Sequence, residues 1–433
     1  MTPLVLLSLF GMAMLVPALS ADDSDDSDDT PELPDEIEDT PEVETPTPEV
    51  EAPVAETPVV ETPIVETPAV EEPVTETPAA AAPLNGTTAN DTLTTNTAQT
   101  VNGYSGSDTL TADEGAEGST LNGGRDPDTF NLAADSVTAN GERGGDTFNI
   151  EGQNAVVSGD SGDDTFNING DVALVNGGTG NDTFNDTGDT NFIRINAGAD
   201  NDTITSDGTE ISLYGDEGDD TIVFGGNTSG ASAHGGDGDD TLIARNLGQG
   251  VAGSMSGGAG NDTLSVDPEN LIQNEELELF GDAGNDVLSN NSGSNDVYLV
   301  GGEGNDTLNV SFDVNDNGNG GTLQGGLGAD TFNVEMNIGE TSADSISQSD
   351  TQIRDFTKGE DILNLVIDAP TDGDYTFGDI SIIEDETGQP LGAVTQIRVT
   401  FNSATEGGQP IESIIRFEGI FELSLDDFIV TLR

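Results

Sequence analysis

Thirteen six-residue loops recur along this chain, beginning at residues 86, 103, 123, 141, 159, 177, 197, 215, 235, 257, 281, 301 and 325, and they limit its possible folds more than any other feature. Well-formed copies are Gly177-Gly178-Thr179-Gly180-Asn181-Asp182, Gly235-Gly236-Asp237-Gly238-Asp239-Asp240 and Gly301-Gly302-Glu303-Gly304-Asn305-Asp306. The sixth position is Asp in all thirteen. The first is Gly in twelve (Ala197 is the exception), and the fourth is Gly in ten, with Ala89, Asp126 and Asp200 departing. One apolar column precedes the loops: Leu84, Val101, Leu121, Ala139, Val157, Val175, Ile195, Leu213, Ala233, Met255, Leu279, Leu299 and Leu323. Another follows them: Leu93, Leu110, Phe130, Phe148, Phe166, Phe184, Ile204, Ile222, Leu242, Leu264, Leu288, Leu308 and Phe332. Members of a pair are always nine residues apart, whereas the return to the next turn takes 8, 11, 9, 9, 9, 11, 9, 11, 13, 15, 11 and 15 residues. A loop bound to ions cannot change length and a plain turn can, so the fixed side is the functional side. Eleven of the twelve returns are odd. Insertions in pairs are what strands tolerate, because one extra residue would turn the inward face outward.

The expected fold is all-β: a parallel β-roll or β-solenoid of about 13 turns of roughly 18 residues, two short parallel strands per turn, stacked so that the apolar columns line a thin core. One inward side chain per strand is a small core, and burial alone would not hold it. Glycine at the first and fourth loop positions is expected to permit positive φ and to let carbonyls converge.

Charge sharpens the problem. There are 84 acidic and 9 basic residues, so the formal charge is 9 − 84 = −75. Phosphate and anionic lipid surfaces are repelled by such a chain, which excludes nucleic acid and an anionic membrane as partners. Cysteine is absent, and His234 and Lys358 are the only residues of their types, which leaves little for nucleophilic or general-base chemistry. No HExxH zinc motif or GxxxxGK[ST] phosphate loop occurs. The chain reads as non-enzymatic, and something cationic must offset its repulsion. Nine basic residues cannot, which points to metal ions.

The loops suit Ca²⁺. It takes six to eight oxygens from carboxylates and carbonyls, more than one loop holds but within reach of two stacked loops. Without cations, the Asp column, with a rung about every 4.8 Å, would be a ladder of like charges. These loops resemble the nonapeptide G-G-x-G-x-D-x-U-x of the RTX (hemolysin-type) calcium-binding repeat family of secreted bacterial proteins, whose fold is a calcium-bound β-roll. The resemblance covers about 250 residues. It implies ions between successive loops on one edge, carbonyl ligands from the glycine region, and an Asp carboxylate shared by neighbouring ions. Carried onto this sequence, the best carboxylate ligands are Asp164, Asp182, Asp202, Asp220, Asp240, Asp262, Asp286, Asp306 and Asp330. The accompanying glycines are Gly159, Gly162, Gly177, Gly180, Gly215, Gly218, Gly235, Gly238, Gly257, Gly260, Gly281, Gly284, Gly301, Gly304, Gly325 and Gly328. Asp91, Asp108, Asp128 and Asp146 are expected to be weaker, because their loops contain Ala89, Arg125-Asp126-Pro127 or Arg143 and a cation inside a loop competes with metal. Many family members carry calcium loops on both edges. The opposite turns here, such as Asn169-Gly170-Asp171 and Asp207-Gly208-Thr209, read as ordinary turns, so one ion-bearing edge is expected.

Four segments follow. Residues 1–21 hold an apolar run, Leu4–Val16, too short to span a bilayer and suited to a signal peptide or membrane anchor. Residues 22–83 repeat units such as Glu61-Thr62-Pro63-Ile64-Val65, an acidic Pro/Thr/Glu stalk expected to be disordered and extended. Residues 84–336 form the roll. Residues 337–433 lack the repeat; Gln352-Ile353-Arg354-Asp355-Phe356-Thr357-Lys358-Gly359-Glu360-Asp361 and Leu425-Asp426-Asp427-Phe428 resemble the region that caps RTX rolls and carries a type I secretion signal. His234, beside Ala233, is expected to face solvent. Loop position seven is Thr in twelve of thirteen turns, an outward ladder that suits ice or a glycan but that β-propensity also accounts for; a variable third loop position (Arg143, Glu217, Leu327) argues against ice. The resulting expectation is an extracellular protein, secreted or tethered to the bacterial surface and folded by several Ca²⁺ ions. The alternatives are an adhesin for an extracellular polysaccharide or cell surface, or an accessory region of an extracellular enzyme.

Overall fold

Each turn crosses the Asp-bearing loop and leaves it through a strand, Thr-led in all but Val287–Asn290, that alternates outward and inward residues, as in Thr147–Ile150 and Thr165–Ile168. The computed structural model describes residues 81–433, apart from residue 173 and residues 188–191, 226–229, 246–252, 268–276, 293–296, 315–320, 338–348, 369–374, 385–393, 404–409 and 419–422. The expected export segment and nearly all of the stalk lie outside the described residues, which belong to one compact unit, residues 76–433.

The chain winds as an all-β parallel solenoid with two sheets. The strands after the loops build a 15-stranded sheet, and those before them belong to a 17-stranded one. Register follows the two columns: Phe130, Phe148, Phe166 and Phe184 pair in succession on one sheet, and Val157, Val175 and Ile195 on the other. Every column member from Val101 to Phe332 is buried, and Leu84 and Leu93, in the first turn, are partly buried. Where three successive returns of nine residues set four phenylalanines above one another, the rings stack at centroid distances of 4.5, 4.9 and 4.6 Å, with planes within 12°. Aromatic stacking adds about 0.5–1.5 kcal/mol per pair to area burial.

The core is thicker than one side chain per strand. Two residues beyond the second column runs a third: Thr95, Ala112, Leu132, Ile150, Ile168, Asp186, Ser206, Phe224, Ala244, Val266, Asn290, Val310 and Val334, all buried. Its polar members bond locally, as where Ser206 Oγ donates to Asp186 Oδ2 at 2.5 Å. Val137, Ala155, Ile193 and Ile211 add a fourth line from the returns. There the opposite turns stack backbone on backbone, with the Asn154 amide donating to the Asp171 carbonyl at 2.7 Å.

Winding continues past residue 336. Ser349–Ile353 pairs in parallel with Thr322–Leu327, and Ile362–Asp368 with Thr331–Asn337. Phe428–Leu432 then adds the last parallel strand of its sheet. The other sheet is closed by Ile411–Glu418, which pairs in parallel with Ser349–Ile353 and antiparallel with Val394–Ser403, itself antiparallel to Tyr375–Glu384. The tail is therefore a β cap that grows out of the solenoid. Phe356, Phe417 and Phe428 gather beneath it.

Phe166 sits mid-ladder and fully buried, whereas Phe192 is 69% exposed. Phe166→Ala should lower stability by about 3–5 kcal/mol. Phe192→Ala should change it by less than about 0.5 kcal/mol. Urea unfolding followed by far-UV circular dichroism separates the two.

Candidate metal-binding edge

Loop position six points inward. Asp108, Asp128, Asp146, Asp164, Asp182, Asp202, Asp220, Asp240, Asp262, Asp286, Asp306 and Asp330 form one buried column down the loop edge, each no more than 2% exposed. Their two oxygens have different fates. Each Oδ1 accepts the backbone N–H of the Asp one turn earlier: Asp164 N donates to Asp182 Oδ1 at 2.7 Å, Asp182 N to Asp202 Oδ1 at 2.6 Å, and so on from Asp91 to Asp330. Each Oδ2 from Asp108 to Asp306 is buried with no hydrogen-bond donor within reach. Leaving a buried polar atom unsatisfied costs about 1–3 kcal/mol, and more for a charged one.

Position one explains where Oδ2 points. A Cβ on Gly103 would lie 2.5 Å from Asp108 Oδ2 and 2.6 Å from the Gly123 carbonyl oxygen of the next turn. Gly159, Gly177, Gly215, Gly235, Gly257, Gly281, Gly301 and Gly325 likewise face the carboxylate of their own loop. In most turns the same small space is bounded by a carbonyl of the next turn, so a carboxylate oxygen and a carbonyl oxygen converge where a side chain is missing. Among the described residues no three carboxylate or imidazole groups gather at one point; the convergence is between turns and relies on backbone oxygen.

The glycine roles differ from expectation. Positive φ belongs to positions two and four, as at Gly178 (122°) and Gly180 (114°), and position one is glycine for lack of a Cβ. Position two even forces Tyr104, Glu142, Asp160, Asp216 and Asp282 into positive φ, a conformation uncommon outside glycine. Gly162, Gly180, Gly218, Gly238, Gly260, Gly284, Gly304 and Gly328 do not face the carboxylates: a Cβ there would run into the position-four carbonyl of the preceding turn. They let the loops stack closely at the outer rim.

Asp128 and Asp146 share the burial and the unsatisfied Oδ2 of the other loops, and Arg125 and Arg143 are exposed on the outside. Arginine at position three therefore does not mark a different pocket. Asp91 does differ: its Oδ2 accepts from Thr87 N at 2.6 Å and Thr87 Oγ1 at 2.8 Å. His234 lies on the outward face of its strand, as expected beside inward Ala233, but is half-buried there by stacking on Tyr214 at 5.0 Å, and burial lowers its pKa. Two site residues were not foreseen. Asp361 Oδ1 accepts the Asp330 amide at 2.9 Å and ends the ladder, and Asp355 accepts Gly325 N and Gly326 N, both at 2.9 Å. A degenerate loop in the tail, with Ile353 and Leu363 at its flanks, thus completes the edge.

Burial raises every carboxyl in the column. Asp164 and Asp202 reach about 8, Asp128, Asp182, Asp240 and Asp262 about 7, and Asp146, Asp220 and Asp306 about 6, while Asp108, Asp286 and Asp330 also rise. The amide hydrogen bond opposes the rise and neighbouring carboxylates reinforce it. Adjacent charges about 4.8 Å apart repel by about 3 kcal/mol at an effective dielectric near 20. A fully ionised column is unstable unless a proton or another cation neutralises it.

No protein-family model and no curated protein sequence matches this chain.

The sign of the pH dependence follows. The ordinary carboxyl value is 3.8 and the folded values lie near 6–8, so the metal-free fold binds protons more tightly than the unfolded chain. That contribution is complete below pH about 4 and disappears as pH rises through 6 to 8. In EGTA, far-UV circular dichroism should show more β-structure at pH 4.5 than at pH 8.5. Asp202→Asn keeps the Oδ1 acceptor and removes the charge, and should stabilise the EGTA form at pH 8 by about 1–3 kcal/mol.

Proposed function

We propose that this chain is a non-enzymatic, exported repeat scaffold whose solenoid folds on binding several Ca²⁺ ions along the Asp column. The observation that carries this reading is the unbroken file of buried Oδ2 atoms without donors, from Asp108 to Asp306. Each needs a cation, and the convergent donors are hard oxygens, which suit Ca²⁺. Asp108 to Asp330 would hold the ions, with carbonyls of the loop glycines such as Gly123, Gly177 and Gly235 beside them. Bound Ca²⁺ would supply positive charge and oxygen coordination. The chain's own residues fix the donors: the amide of each preceding Asp holds Oδ1, and position-one glycine keeps the space open.

The non-enzymatic reading rests on composition, with no cysteine, one histidine and one lysine. Lys358, the one lysine, forms an ion pair with Asp427 at 3.0 Å in the cap. Export and an extracellular location rest on the apolar segment at residues 4–16 and on the calcium contrast across a cell envelope: folding is suppressed where calcium is scarce and driven where it is plentiful.

Titrating calcium into the full chain at pH 7.5 should raise the β signal cooperatively, with a midpoint of roughly 10⁻⁴–10⁻³ M. Magnesium at the same concentration should do far less, because it demands octahedral geometry and dehydrates reluctantly. An identical spectrum in EGTA and in millimolar calcium at this pH would overturn the proposal.

A further inference from the structure

On the outer face of the 15-stranded sheet the strip beside the loops is free of charge, and charged outward side chains such as Arg245 and Glu335 stand farther along their strands. In thirteen successive turns, from Thr92–Thr95 to Thr331–Asn337, the two outward positions nearest the loop hold Thr, Asn, Ser, Val or Ile and no charged residue. The chain around it carries 84 acidic side chains. The face is most regular over the phenylalanine ladder, where Thr129-Phe130-Asn131, Thr147-Phe148-Asn149, Thr165-Phe166-Asn167 and Thr183-Phe184-Asn185 stand in register. Their asparagines form a relay: Asn149 Nδ2 donates to Asn131 Oδ1 at 3.0 Å, Asn167 to Asn149 at 3.0 Å and Asn185 to Asn167 at 3.3 Å. The relay uses one N–H of each amide and leaves the other pointing away from it.

Beside the relay lies a groove of about 260 Å³. Asn149, Asn167 and Asn185 form one wall, Glu151, Asn169 and Thr187 the other, and buried Ile150 and Ile168 the floor. It runs across three equal turns: the asparagine wall repeats one amide at each step, about 4.8 Å apart, while the facing wall presents a carboxylate, an amide and a hydroxyl in turn. Primary amides and hydroxyls each donate and accept, which matches sugar hydroxyls. The stacked phenylalanines beneath hold the wall in place before any ligand arrives, which reduces the ordering cost of binding.

We propose that this groove, with the threonine–asparagine face it borders, binds an uncharged polysaccharide lying along the solenoid axis. A chain with formal charge −75 repels polyanions and further copies of itself, and a strip without charge, with Glu151 as the one carboxylate on the groove wall, admits a neutral partner. A step of one strand per turn, close to the length of one pyranose ring, suits a polymer with one repeating unit. The inference is independent of the calcium sites, which lie at position six, inside the loop edge.

The experiment is native affinity electrophoresis of the full chain in calcium, in gels containing dextran, mixed-linkage β-glucan or galactomannan, with dextran sulfate as the charged control. At least one neutral polymer should retard the parent, and dextran sulfate should not. Asn167→Asp places a carboxylate in the relay and should weaken retardation at least tenfold, and Thr187→Val on the opposite wall at least threefold. Circular dichroism in calcium checks that each variant is folded; if Asn167→Asp is not, Thr187→Val decides. Retardation by no neutral polymer, equal retardation by dextran sulfate, or indifference to Thr187→Val would overturn the proposal. So would freezing-point hysteresis without polysaccharide retention, which would assign the face to an ice lattice. Failure of calcium-dependent folding would be seen separately in the dichroism.

Discussion

A file of carboxylates buried one above another governs this fold. Every other feature of the loop edge serves it or yields to it. In all thirteen repeats the crossing is nine residues, and each Asp after the first meets the amide of the preceding turn; the tail loop, one residue longer and without the leading glycines, keeps that bond through Asp361. Position one must be small because Oδ2 occupies the space a side chain would take; Ala197 is the largest residue found there. The returns carry no such column among the described residues, and their length drifts from 8 to 15 residues.

The edge is sewn in two directions. At position six, the amide of one turn donates forward to the carboxylate of the next. At position five, the side chain accepts from the amide of the following turn: Asn181 N donates to Asp163 Oδ1 at 2.9 Å, Asp239 N to Asp219 Oδ1 at 2.9 Å and Asn305 N to Asn285 Oδ1 at 2.8 Å. The inner seam is buried and charged, and the outer one is exposed. The inner seam is the one whose carboxyls are raised by burial, so cohesion there depends on what neutralises it, whereas in the outer seam hydrogen bonds from Asn261 lower the Asp239 pKa and favour its charged form. Solenoid stability is roughly a sum over neighbouring turns, and a neutralised column would strengthen every interface at once. Asp355 and Asp361 extend this sewing into the cap and give the last turns the acceptors that a further repeat would have provided.

Much of the fold was legible because strand periodicity is two and the loop crossing never varies. Column pairing such as Leu213 with Ala233 and Leu264 with Leu288 follows from those two facts. The third buried column was harder to read, since Thr95, Asp186, Ser206 and Asn290 interrupt its apolar character; Thr95, Ser206 and Asn290 hydrogen-bond to neighbouring groups. Left-handed geometry at position two was hidden by Tyr104, Glu142 and Asp160, which pattern reading does not associate with positive φ. Asp361 escaped because its loop lacks the leading glycines and is one residue longer than the others: ten residues, not nine, separate Ile353 from Leu363. The asparagine relay had a visible signal, the recurrence of Thr-Phe-Asn, but its meaning depends on equal returns bringing the amides into register.

The most direct test of the central claim reads the inner seam itself. The backbone amides of Asp164, Asp182, Asp202, Asp220 and Asp240 donate into the carboxylate column, so their hydrogen exchange reports whether it is assembled. At pH 8 in EGTA these amides should exchange at the rate of an unfolded chain, and in millimolar calcium they should become protected together. Protection in EGTA at pH 8 equal to that in calcium would show that the column assembles without a neutralising cation, and would contradict the account.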